Sequence, residues 1–121
     1  MNFEAKERLK NQILEIASRN ASGITYSALQ NLPGFAGACS LTNASYGQVK
    51  FWEGLSEEAA YAIFELHEAG ALTQEPTDEL AYMASGSMLE HPLFTQDLAP
   101  RVASLAKPHW MPVLLVPGRV R

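Results

Sequence analysis

The chain has 121 residues, of which 47% are hydrophobic and 18% charged, and its formal net charge is −4. That is the size of one domain with a real core, and the composition excludes a disordered or fibrous chain. One cysteine, Cys39, excludes an internal disulfide, and the longest apolar run near the end, Val113 to Val116, is far too short to span a bilayer.

Charge is distributed unevenly. Seven of the nine basic residues lie at the ends: Lys6, Arg8, Lys10 and Arg19 at one, and Lys107, Arg119 and Arg121 at the other. Between Phe51 and Pro100 there is no lysine or arginine but there are ten aspartates and glutamates. The N-terminal MNFEAKERLK interleaves acids and bases and has no apolar leader pattern. With no paired cysteines, the expected compartment is a reducing cytoplasm.

Residues 3 to 19 are expected to form a helix, with Leu9, Ile13, Ile16 and Ala17 on one face. Glu4 to Arg8 and Glu15 to Arg19 add i,i+4 pairs in the favourable order, and Asn20 to Gly23 stop the helix. Ile24-Thr25 reads as a very short strand. Thr25 then caps a short helix from Tyr26 to Leu32, ended by Pro33-Gly34. Residues 34 to 50 are rich in Gly, Ala, Ser and Asn without a lasting period. They read as a long connecting loop, with a turn of helix or a strand at Gln48 to Trp52. Loops of that length are often functional.

Ser56 is the N-cap of the clearest helix, Glu57 and Glu58 suit its positive end, and Gly70 closes it. Ala59, Ala62, Ile63 and Leu66 make its buried stripe, and Glu58, Tyr61, Glu65 and Glu68 the opposite one. Ala71 to Gln74 and Leu80 to Ala84 read as two strands of a hairpin around Glu75-Pro76-Thr77-Asp78. Thr95 to Lys107 holds a short helix, most securely from Pro100 onward. His109 to Val116 is a final extended segment, and Pro112 makes it an edge strand or a bulge.

The segments ITYSALQNL (24 to 32) and AIFELHEAGALTQEPTDELAYMA (62 to 84) resemble the second helix, recognition helix and wing of a winged-helix domain. The likeness covers roughly residues 3 to 84. It implies an α+β fold, mostly helical with a small antiparallel sheet, an insertion after the second helix and a C-terminal extension at 85 to 121, all within one domain spanning 1 to 121. It also implies a DNA-binding regulator, with the recognition helix in the major groove and the wing on phosphates. The matching positions are Glu57, Glu58, Tyr61, Glu65 and Glu68 on the helix, and Glu75, Asp78 and Glu79 at the wing tip, and the acids among them would repel a phosphate backbone.

Two readings of function stay open. In the first, the chain is a non-catalytic protein-interaction or regulatory module. Its acidic helix-and-hairpin face, Glu57, Glu58, Tyr61, Glu65 and Glu68 with Trp110 as an aromatic anchor, meets a protein partner, and the C-terminal strand makes a homodimer possible. In the alternative, DNA is contacted through Lys6, Arg8, Lys10, Tyr46, Gln48 and Lys50, helped by Arg119 and Arg121. The dull explanations are an ordinary solvated helix face and core packing of the aromatics. No membrane contact is expected. His67, His91 and His109 lack metal-ligand spacing, no cofactor fingerprint is present, and no catalytic residue is assigned.

Overall fold

The computed structural model describes residues 1–43 and 46–118. Helix α1 spans Phe3–Ser18, with the Asn2 side chain accepting from the backbone N–H of Ala5 at 3.0 Å. Its Leu9, Ile13 and Ala17 recur every four residues and are fully buried, and Lys6 lies on the same stripe. Thr25 caps the turn that follows, as expected, but the helical hydrogen bonding is a single 3-10 turn, Tyr26–Ala28.

The stretch expected to be a loop is the main sheet. Strand β1, Ala36–Thr42, and strand β2, Val49–Leu55, form an antiparallel hairpin. The supposed insertion therefore builds architecture. Its strand period is hidden because β1 buries none of its residues fully and is made mostly of small ones, so no apolar alternation marks it. Gly37 is required: a Cβ there would sit 2.5 Å from the Cα of Ser56.

Helix α2 covers Glu57–Glu68, with Ala59, Ala62, Ile63 and Leu66 buried. The Ser56 Oγ accepts from the Ala59 N–H at 3.0 Å and donates to the Gly34 carbonyl at 2.6 Å, so the cap residue also ties the helix to the start of the hairpin. Strand β3, Leu72–Pro76, follows.

The expected second strand of the wing, Leu80 to Ala84, is instead helical: α3 spans Glu79–Ser85. Asp78, read as a turn residue, accepts from the Leu80 N–H at 3.0 Å and caps it. Gly86 ends it in the left-handed conformation, φ +103°. The partner of β3 comes from the far end of the chain. Strand β5, Val113–Pro117, pairs with it antiparallel, from Leu72 against Pro117 to Pro76 against Val113.

The region expected to be an extension thus completes the fold. A 3-10 helix, Gln96–Ser104, leads to strand β4, His109–Trp110, which pairs in parallel with β2. The protein is α+β, with one three-stranded mixed sheet in the order β1-β2-β4 and one two-stranded sheet of β3 and β5. Pro112 falls in the break between β4 and β5, where it interrupts no ladder. The outer side of β5 is also engaged, since Ile24 and Leu115 exchange two backbone bonds of 2.9 and 2.7 Å. The expected homodimer through this strand would have to displace contacts that the chain makes with itself.

One core runs from Leu9 to Leu115. At its centre Trp52 stands against Tyr26, Tyr82 and Trp110, with ring centroids 6.2, 5.3 and 6.3 Å away. Tyr82 and Trp110 meet edge to face at 5.0 Å, a favoured aromatic geometry.

Candidate functional site

The carboxylates of α2 divide between two faces. Glu58 and Glu65, seven residues apart, turn toward α1. The backbone N–H of Asn2 donates to Glu58 at 3.1 Å, and Lys6 and Lys10 donate to Glu65 at 2.6 and 3.0 Å. The Asn2 N–H holds the Glu58 carboxyl below its ordinary range. Lys6 and then Lys10 do the same to Glu65, and Glu65 in turn raises Lys10. These two acids join the helices, so the face expected to meet a partner is partly spent inside the molecule.

An acid titration checks this. A carboxyl held low in the folded state stabilises it above the unfolded value and loses that contribution as pH falls through the folded value. The thermal midpoint should therefore drop below about pH 4.5 in the native protein, with a flatter acid limb in Glu65→Gln. Identical acid limbs would mean that Glu65 does not hold the helices.

The outward face of α2 is different. Glu57, Tyr61, Phe64 and Glu68 follow one another at helical spacing along it. Tyr61 is 46% and Phe64 55% exposed. Beside Phe64 lies an open groove of ≈ 350 Å³, walled by Leu41, Phe51, Phe64, His67, Glu68 and Gln74. Four separate elements, β1, β2, α2 and β3, bring those residues together. The sequence pattern does not single out Phe64, because it lies outside the regular stripe of Ala59, Ala62, Ile63 and Leu66. Its signal is a large apolar residue on an otherwise acidic face.

The other expected site residues are scattered. Trp110 is 1% exposed and its Nε1–H donates to the Phe51 carbonyl at 3.2 Å. It is a core residue, which corrects its assignment as a partner anchor. Glu75 is exposed on β3 and Asp78 is occupied as the α3 cap, so no acidic wing tip forms.

Of the bases assigned to DNA, Lys6 and Lys10 are paired with Glu65 and Glu7, and Lys50 with Glu53 at 3.2 Å. Arg8 is exposed on α1. Tyr46 and Gln48 lie between β1 and β2, lining a shallow hollow with Val102 and Ala103. Arg119 and Arg121 lie outside the described residues.

Glu53 also meets His91 at 3.0 Å. Burial works against ionisation there, but His91 and Lys50 more than offset it and hold the carboxyl below its ordinary range. Cys39 is half-buried on β1. Among the described residues no group of three or more His, Cys, Asp or Glu is placed to hold a metal ion. No helix among them is long and apolar enough to cross a membrane. Comparison with protein-family models, curated proteins and solved structures gave no match.

Proposed function

We propose that this domain is a non-catalytic protein-interaction module that works in a reducing cytoplasm. Its contact surface is the outward face of α2 and the adjoining groove. The observation that carries the reading is the exposed pair Tyr61 and Phe64 between Glu57 and Glu68, with Phe64 at the mouth of an apolar groove and Tyr61 beside it on a second, shallow hollow. Solvent-exposed aromatics beside a concavity are the usual anchors of an interface. The partner is basic, because Glu57 and Glu68 flank the exposed aromatics on this face and the segment from Phe51 to Pro100 supplies no lysine or arginine to pair with them. A lysine or arginine can lie over Tyr61 and face Glu57 or Glu68 together.

The rival reading, a winged-helix DNA-binding regulator, is supported by the helix order and by exposed Arg8. It is opposed by the acids on α2 and by the pairing of Lys6, Lys10 and Lys50 with carboxylates. Fluorescence anisotropy at low salt separates the two. A lysine-rich peptide with one aromatic residue should bind, and mixed duplex DNA should not. Phe64→Ala with Glu68→Lys should weaken the peptide by about 2 kcal/mol, roughly thirtyfold. Tight, steeply salt-dependent DNA binding would overturn the interaction reading.

A further inference from the structure

The sheet β1-β2-β4 is closed on one side and open on the other. Beyond β4 the chain supplies its own cover. Leu93 bridges Trp110 in parallel, Trp110 donates to the Pro92 carbonyl at 2.8 Å, and Phe94 donates to the Trp110 carbonyl at 2.8 Å. Among the described residues strand β1 has no such cover, and its seven positions make backbone bonds to β2 alone.

Open edges are usually blunted by lysine, other charge or proline, and AGACSLT carries none of these. Its one protective device is bulging: the register shifts near Cys39 and again between Leu41 and Thr42. The least disturbed stretch, Ser40 to Leu41, runs directly into the groove, where Leu41 stands with Phe51 and Phe64. A backbone edge unpaired among the described residues and an apolar groove with Glu68 on its rim are therefore continuous.

Resting on the interaction reading above, we propose that the partner binds as an extended basic segment. It adds a short strand to the edge of β1 near Ser40 and Leu41, sets an apolar side chain into the groove against Phe64, and directs a lysine or arginine to Glu68. Main-chain bonds hold such a strand while alternate side chains select it. The peptide is basic because Glu68 is on the rim and, among the described residues, neither lysine nor arginine lines the groove. A second copy of this chain would bring to the edge the same uncharged β1.

The test uses a capped peptide alternating lysine with valine or phenylalanine, and a counterpart of identical sequence with alternate backbone amides N-methylated. Charge and side chains are the same in both, so only strand pairing distinguishes them. Calorimetry should show the parent binding and the methylated peptide about tenfold weaker, the loss expected for one or two backbone hydrogen bonds. The amides of residues 39 to 42 should become protected from hydrogen exchange with the parent peptide alone.

Equal binding of the two peptides, lost in Phe64→Ala, would overturn the strand and leave the interaction surface standing. Binding of both that is indifferent to Phe64→Ala and Glu68→Lys would overturn the surface as well, as would no binding at millimolar peptide. Protection of residues 39 to 42 that rises with protein concentration, without peptide, would assign the edge to a second copy and overturn the proposal.

Discussion

Trp110→Ala should be the most damaging single substitution in this chain. The indole is 1% exposed and meets Trp52 at 6.3 Å and Tyr82 at 5.0 Å. Removing so large a buried side chain costs about 3–5 kcal/mol through lost transfer energy and the cavity left behind. It also takes the Nε1–H donor away from the Phe51 carbonyl. Against a total stability of about 5–15 kcal/mol for a domain, that leaves a large unfolded fraction or no folded protein. Urea denaturation followed by circular dichroism reads the effect. Trp110→Phe should keep a cooperative transition at a lower midpoint, and it should keep whatever peptide binding the native protein has. An unchanged midpoint in Trp110→Ala would place the residue on the surface and restore it as a partner anchor.

Tyr82→Phe should give the second-largest loss relative to its size. The hydroxyl donates to the Val113 carbonyl at 2.6 Å and accepts from the Tyr26 N–H at 3.2 Å. It therefore joins α3, the turn at Tyr26 and β5, three parts of the chain distant in sequence. Deleting one oxygen leaves a buried donor and a buried acceptor without partners, about 1–3 kcal/mol for each orphaned group before relaxation. Van der Waals packing is kept, so a loss near 2 kcal/mol reports on the hydrogen bonds.

The same residue predicts an alkaline limb. Burial pushes the Tyr82 hydroxyl up to about 12, and hydrogen bonds to Tyr26 and Val113 offset only part of that. Tyr26 is raised as well, by burial first and by the neighbouring Tyr82. A group whose folded pKa lies above its unfolded value stabilises the fold below the unfolded value, near 10 for tyrosine. That contribution fades as pH rises toward the folded value. The native protein should thus lose stability from about pH 10 upward. Tyr82→Phe should start lower and fall less steeply. Parallel alkaline limbs would mean that the hydroxyl is hydrated rather than buried.

Legibility followed the range of the interactions. Helix α1 and helix α2 were readable because their buried stripes repeat every three or four residues and their caps, Asn2 aside, stand where a cap is expected. Ser56 and Gly70 mark α2 as clearly in the sequence as in space. Strand β1 was not readable, because a strand that buries none of its residues fully carries no alternation, and AGACSLT resembles a linker in composition. The segment from Leu80 to Ala84 reads as a strand in the sequence because Asp78 serves equally as a turn residue and as a helix cap. Local chemistry permits both, and the burial of Tyr82 against Trp52 and Trp110 selects the helix.

The candidate surface was half visible. The absence of bases between Phe51 and Pro100 is a fact of sequence, and it still argues for a basic partner. Which acids are available to that partner is not a fact of sequence. Glu58 and Glu65 share a stripe with Tyr61 and Glu68 on a helical wheel, yet α1 lies against that side and supplies Asn2, Lys6 and Lys10 to them.

By itself, then, the sequence determined an α+β domain, the two long helices and an acidic middle, because composition, periodicity and capping act over a few residues. Tertiary structure decided the rest. It paired β3 with β5 across the chain, turned the supposed loop into a sheet with one open edge, buried Trp110, and left Phe64 at the mouth of the groove. Each of these depends on which distant segment covers which face, and one chain's local pattern does not encode that separately from its fold.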